Sequence, residues 1–365
     1  MASASTSPKI LLTGATGYIG GTVLSQILDS SSPTLSDVTI SCLLRGPDRA
    51  AKLSSTYGSR VNPIVYKDLD DVEATVAAAA EHDIVITTTH GWHTASPQAL
   101  LRGLAQRKAS TGRDVWLIHT SGTSNVSTRT LGVDVGQEIN EFDDAQGNIY
   151  EYEKDREQNE GPYAQRTTEL AVVDKGLELG VKTLVIMSPT IFGLGTGLWN
   201  KISVQIPLFT GAVLQLNRPI VLGDGRGVWD HVHVQDLAEL YVLVLRRIIE
   251  NGGEGVPTGK KGIIFSANGR HSWLEVSQAV AAAFHEKGVF ADQEVQSIGL
   301  ADIMRISGAD GFTDQIVELA FSSDSRTISS VGRSLGWNPT RGEEAWKQEF
   351  RDVVEAVLAN AAKVA

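Results

Sequence analysis

The sequence predicts an α/β fold, a doubly wound parallel sheet with a smaller C-terminal lobe. Two observations carry that expectation. Short apolar runs alternate with helix-patterned segments through the first half of the chain, the pattern of strands covered on both faces by crossover helices. The first of these runs leads directly into Thr13-Gly14-Ala15-Thr16-Gly17-Tyr18-Ile19-Gly20 and then into the apolar-periodic segment 22–28. Glycines at this spacing let the chain reverse and let a pyrophosphate approach the amides at the positive end of the following helix. The ligand that such a turn suits is a dinucleotide.

Strands are expected near Ile10 and at 38–44, 61–66, 84–89, 115–119 and 183–187, with helices between them. Residues 71–80 are alanine-rich and helix-prone, and Ser96-Pro97 offers a cap and a first-turn proline. Residues 123–162 form a long polar insertion, which in a compact domain serves a site or stays mobile, and its charge run at 151–160 is expected to be a solvated face. Beyond Gly195 the periodicity changes. Turn residues fall at 223–227 and helices at 236–249 and 272–287, the second opened by a capping box, Ser272 with Glu275. The expected boundaries are a frayed tail at 1–8, a dinucleotide-binding domain at 9–194, and a substrate lobe at 195–365 from which 228–238 returns to the main domain. Ligands belong at the carboxyl ends of the strands.

At 365 residues the chain can bury about three quarters of its unfolded surface, enough for one two-lobed unit. No apolar run approaches the ~20 residues that a bilayer span requires, and the Ser-rich start lacks the blocks of a signal peptide. A cytoplasmic location is expected. With 43 acidic against 32 basic residues, the net charge of −11 disfavours nucleic acid and anionic membranes as partners. A small-molecule substrate is the expected partner, and a homodimer is left open. Cys42, the only cysteine, falls in an apolar strand and reads as a buried, inert thiol. His90 with His93, and His231 with His233, have the spacing of metal ligands, but neither cysteine nor a carboxylate cluster completes a site, so no metal is expected. Asp236 is expected to cap the helix it opens. Trp92, Trp199, Phe209 and Trp229 are candidates to line an apolar pocket.

The glycine spacing resembles that of the extended short-chain dehydrogenase/reductase family, which includes NAD-dependent epimerases, dehydratases and dihydroflavonol-type reductases. Further echoes follow in family order: Asp68-Leu69, His119-Thr120-Ser121-Gly122-Thr123, Ser188-Pro189-Thr190-Ile191-Phe192-Gly193, Val232-His233-Val234-Gln235-Asp236-Leu237-Ala238, and Leu335-Gly336-Trp337-Asn338-Pro339. The resemblance implies a Rossmann sheet and a nicotinamide cofactor. Thr13, Gly14, Thr16, Gly17, Tyr18, Ile19 and Gly20 would form its phosphate turn. Asp68 and Leu69 would flank the adenine, Thr89, His90 and Gly91 would pass under the pyrophosphate, and Pro189 would also belong to the cofactor site. Where the second strand ends, an acidic residue reads the ribose hydroxyls of NAD and a basic one the extra phosphate of NADP. Arg45 stands there, with Arg49 as a second contact, which favours NADP. Asp48 keeps NAD open.

The resemblance also implies a Tyr-x-x-x-Lys helix and a strand-end hydroxyl, the tyrosine moving a proton at the substrate oxygen. Tyr150 with Lys154 matches the spacing literally, but Gly161-Pro162 breaks that helix soon after. Residues 163–179 run unbroken toward the sixth strand, so Tyr163 is favoured. Thr167 then stands where the lysine belongs. A cation about 5 Å from the phenol, at an effective dielectric near 20, contributes ~3 kcal/mol, or about two pKa units. Arg166, on nearly the same face, is the candidate substitute. Gly122 occupies the hydroxyl position, leaving Thr123 and Ser124 as stand-ins. The reading is an NADP-dependent oxidoreductase acting on a carbonyl or alcohol of a mostly apolar metabolite. The alternatives are a nucleotide-sugar epimerase or dehydratase, with Lys201, Arg218 and Arg226 as thinly spread diphosphate contacts, and a catalytically silent NADP-binding regulator resembling the NmrA-like proteins.

Overall fold

The computed structural model describes residues 7–131, 139–305 and 313–364, so most of the expected N-terminal tail and part of the 123–162 insertion lie outside the described residues. Its strands are β1 (Ile10–Thr13), β2 (Ile40–Arg45), β3 (Val61–Tyr66), β4 (Ile84–Thr87), β5 (Trp116–Gly122), β6 (Glu141–Asp143), β7 (Lys182–Ser188), β8 (Thr190–Phe192), β9 (Ile220–Leu222), β10 (Val228–His233), β11 (Ile263–Phe265), β12 (Gly269–Ser272), β13 (Gln296–Ile298) and β14 (Arg326–Ile328). Seven of them form one sheet in the order β11-β7-β5-β4-β1-β2-β3, parallel throughout. The seventh strand, β11, comes from within the stretch expected to form the second lobe.

Alternation along each strand supplies both faces of the sheet. Ile10 and Leu12 join one buried cluster with Ile84, Ile86, Trp116 and Ile118, under the helices Tyr18–Leu28 and Val234–Asn251. Leu11, Val85, Leu117 and Val185 join the other, under Ala95–Thr111 and Ala164–Leu179. Cys42 is fully buried in β2. The sheet order reverses between β1 and β4, which puts the glycine turn after β1 at the crevice where doubly wound sheets bind ligands.

A second core gathers Phe192, Phe209, Trp229, Trp273 and Trp346, packed between the helices Gln205–Leu216, Trp273–Glu286 and Glu343–Val364. Its small sheet pairs β10 with β8 in parallel and with β12 antiparallel. Ser272 and Glu275 form the expected capping box. Two expected caps differ. The helix at Ala95 begins with Thr94 at its N-cap, and the Ser96 hydroxyl donates to the His93 carbonyl from inside the first turn. The helix at Val234 is capped by His233, whose ring accepts from the Gln235 amide, while the Asp236 carboxylate is taken by Arg341 through its backbone amide at 2.9 Å and its guanidinium. No helix among the described residues is long and apolar enough to cross a membrane.

The described part of the insertion folds rather than trails. Its helix Ile149–Asn159 carries the charge run, yet Glu153 is fully buried and Arg156 nearly so. Arg156 donates from Nη1 to the carbonyls of Asn125 and Ser127, both at 2.9 Å. The expected solvated face is therefore half structural. Arg156 satisfies backbone carbonyls of the loop after β5 that would otherwise be buried without partners.

Candidate active site

The turn after β1 is built to leave amides open. Gly14 takes φ +82°, a Cβ there would lie 2.8 Å from the Thr88 carbonyl oxygen, and a Cβ at Gly20 would collide with the Gly14 carbonyl oxygen. Thr88 fixes the neighbouring loop by donating from Oγ1 to the Thr13 carbonyl at 2.9 Å, and Thr13 Oγ1 donates to Thr87 Oγ1 at 3.0 Å. Gly17 is the N-cap of the helix, and among the described residues no side chain accepts from the first helical amides. Such a cradle fits the pyrophosphate of a dinucleotide. Tyr18 turns away from it, its hydroxyl donating to the Gly193 carbonyl at 2.5 Å. Asn200 Nδ2 reaches back to the Thr16 carbonyl at 3.3 Å.

Arg45 ends β2 and Arg49 lies in the first turn of the next helix, Pro47–Tyr57. Both are exposed, and among the described residues neither makes an ion pair. At the end of β3, Asp68 accepts from the Asp70 amide at 3.0 Å, and Leu69 packs on the second core cluster.

Beside the turn, at the carboxyl ends of β4, β5 and β7, opens a cavity of about 460 Å³. Ile19, Thr89, Gly91, Thr123, Ser124, Tyr163 and Pro189 line it, as do Trp92 and Trp229, whereas Trp199 and Phe209 pack in the cores instead. Val204, Leu208, Ile316 and Phe321 complete an apolar wall, and no Lys, Arg, Asp or Glu is among the described lining residues.

Tyr163 does not sit on the helix but at its N-cap, with φ −122° and ψ 118°, because Gly161-Pro162 ends the preceding helix just before it. Its hydroxyl donates to Ser124 Oγ at 3.1 Å, and Ser124 donates to Gln165 Oε1 at 2.6 Å. Burial pushes the Tyr163 pKa up, while the Ser124 bond and the Arg166 charge pull it down. Thr123 is fully buried, and its Oγ1 has no partner among the described residues.

Arg166 does not reach the cavity. Its Nε donates to Glu157 Oε2 at 2.8 Å and its Nη2 to the Gly161 carbonyl at 2.7 Å, so the guanidinium faces the insertion helix. Thr167 donates to the other oxygen of the same carboxylate. Tyr150 is not brought to the cavity either: its hydroxyl donates to Asp174 Oδ1, and Lys154 donates to Asp174 Oδ2 at 2.7 Å. The literal Tyr-x-x-x-Lys is thus spent on a clasp between helices. Gln165 is a site residue that the spacing rules overlook, since they look four residues beyond the tyrosine. The signal for it is a pair of glycines, Gly91 and Gly122, which its side chain covers.

A glycine turn at the sheet's switch point, beside an apolar cavity, marks the class of NAD(P)-binding Rossmann proteins. The family model described as the NAD-dependent epimerase/dehydratase family matches residues 140–255. The chain is 30% identical over 312 residues to the protein named oxidase ucsJ from an Acremonium species, over 80% of this chain and 84% of that one. Among solved structures it is similar to DesIV, a dTDP-glucose 4,6-dehydratase from Streptomyces venezuelae with NAD and TYD bound, with a TM-score of 0.62, 17% identity and coverage of 97% of this chain and 98% of that one. Vestitone reductase from alfalfa (Medicago sativa) is similar with a TM-score of 0.59, 16% identity and coverage of 96% and 98%. At those identities the two structures speak for the fold alone. The chain belongs to the NAD-dependent epimerase/dehydratase family, within the extended short-chain dehydrogenase/reductases.

Proposed function

We propose that the protein is an NADP-linked oxidoreductase acting at a carbonyl or alcohol of a largely apolar small molecule, with Tyr163 as its proton donor. The observation that carries this reading is the Tyr163–Ser124 hydrogen bond inside an apolar cavity next to the glycine turn. Thr13, Gly14 and 16–20 would hold the pyrophosphate, and the exposed Arg45 and Arg49 the 2′-phosphate. The domain at 9–194 would bind the cofactor, and the lobe beyond it would shape the substrate wall. When bound, the nicotinamide would supply or accept the hydride. Tyr163 keeps its proton near neutral pH, since burial raises its pKa; its one O–H turns from Ser124 Oγ to the substrate oxygen and passes the proton there as negative charge develops, while the Ser124 hydroxyl stays beside the phenol oxygen. Ser124 fixes the phenol's orientation. Arg166, positioned by Glu157, acts on the phenol by charge from behind rather than by contact.

The test is a side-by-side titration of NADPH and NADH against thermal stability, followed by NADPH consumption with a panel of aromatic ketones and aldehydes. Greater stabilisation by NADPH and turnover lost in Tyr163→Phe are expected. Equal stabilisation by NADH would overturn the cofactor assignment, and full activity in Tyr163→Phe the donor assignment.

A silent NADP-binding regulator is favoured by one observation: Thr167, where the lysine belongs, is tied to Glu157. NADPH binding without turnover of any carbonyl would select it. The nucleotide-sugar reading has less support, because Arg218 is engaged by Gln296, Arg226 by Asp224, and Lys201 lines a different pocket.

A further inference from the structure

The Gln165 amide has one oxygen committed and one nitrogen open. Its Oε1 accepts from the Ser124 hydroxyl at 2.6 Å, which puts Nε2 at the other end of the amide. Nε2 then lies over Gly91 and Gly122, 3.4 Å and 3.0 Å from where a Cβ on each would be. Neither glycine adopts positive φ, so the backbone does not require glycine at either position. The room taken by the Gln165 side chain does. Among the described residues Nε2 donates to no protein group, and its surroundings are the cavity whose walls are mostly apolar. A ligand that fills the cavity takes this half-buried N–H out of solvent, which is costly unless the ligand brings an acceptor to it. The hydrogen bonds run in one sense, from Tyr163 to Ser124 to Gln165, and bring the phenol and the open amide to the same end of the cavity.

We propose that Gln165 is a catalytic and specificity-determining residue whose Nε2 donates a hydrogen bond to the substrate oxygen that Tyr163 protonates. This rests on the reading of the cavity as a carbonyl site. Gln165 transfers no proton. It stabilises the charge developing on the oxygen and selects ligands that carry an acceptor at that point.

The experiment compares two ligands of the same skeleton, benzophenone and diphenylmethane, binding by calorimetry to the full chain in the presence of NADP⁺. The wild type is expected to prefer benzophenone, and both Gln165→Glu and Gln165→Met to lose about five- to tenfold of that preference, the worth of one neutral hydrogen bond. Gln165→Glu keeps the oxygen that accepts from Ser124 while deleting the donor, so it separates the two roles of the side chain. Diphenylmethane affinity should stay within about twofold in Gln165→Met, because the walls are intact. Unchanged benzophenone preference in both variants overturns the inference and leaves the carbonyl-site reading standing. A wild type that shows no preference, or binds neither ligand, overturns both.

Discussion

Tyr163 donates to Ser124 across 39 residues of sequence, at 3.1 Å. The pairing exists because β5 runs out at Gly122 into a short 3₁₀ turn carrying Ser124, while Gly161-Pro162 halts the insertion helix and presents Tyr163 at the start of the next one. Tyr163→Phe keeps the buried ring and removes only the hydroxyl. The expected result is a fall in turnover of about 10²–10⁴-fold, with stability changed by only about 1 kcal/mol. Since burial raises the Tyr163 pKa, the alkaline loss of reductase activity should fall above the ordinary tyrosine value of about 10. A pH–rate profile checks this.

Arg45 is the residue on which cofactor choice should turn. An exposed guanidinium without an ion-pair partner among the described residues is free to pair with a phosphate but gains little from a ribose hydroxyl. Arg45→Ala should weaken NADPH by about 10- to 100-fold, as expected for a charged hydrogen-bonded pair, and leave NADH nearly unchanged. Thermal shifts at matched concentrations of the two coenzymes measure the difference.

Much of the main sheet is legible in the residues themselves. Leu11 and Leu12 face opposite cores because strand side chains alternate, and the uninterrupted apolar runs record burial on both faces. The glycine turn is equally legible, since its glycines answer local constraints: a positive φ at Gly14 and a close approach at Gly20. What escapes a linear reading is whatever depends on a distant partner. The 151–160 charge run has the composition of a solvated face, yet Glu153 is buried against helix Ala164–Leu179 and Glu157 binds Arg166. Lys154 has the spacing of a catalytic lysine but finds Asp174. Asp236 has the placement of a cap, but Arg341 takes its carboxylate and His233 serves in its stead. In each case composition and spacing were right for a local role, and tertiary contact assigned another.

Two glycines in helices should respond in opposite ways to alanine. At Gly20 a Cβ would collide with the Gly14 carbonyl oxygen and Thr88 Oγ1, and the carbonyl can move only if the turn opens. Gly20→Ala should cost about 1–3 kcal/mol and abolish stabilisation by NADPH. At Gly211, inside helix Gln205–Leu216, a Cβ would meet nothing within 4 Å. Gly211→Ala should raise stability by about 0.4–1 kcal/mol, through the entropy of the unfolded chain and helix propensity. Denaturant melts of both variants, with and without NADPH, separate the two effects.

Glu349 ties the segment after β8 to the C-terminal helix, accepting from the Gly193 amide at 2.8 Å and from Ser203 Oγ at 3.1 Å. Burial pushes its pKa up from 4.5 to about 7, against the two hydrogen bonds, which pull it down. A carboxyl that holds its proton more tightly in the folded state stabilises fully below its unfolded pKa. Stability is then lost as the pH climbs through about 4.5 to about 7, and levels off above. The size of this contribution is about 3 kcal/mol. Glu349→Gln carries no titrating group, so its unfolding free energy should lose that part of the slope: its stability relative to the wild type should rise as the pH climbs from about 4.5 to about 7 and stay level above. The same segment touches the glycine turn, through Asn200 to the Thr16 carbonyl and the Thr196 amide to Thr22 Oγ1. The variant should therefore also shift NADPH affinity, and parallel slopes in the two proteins would count against this role for Glu349.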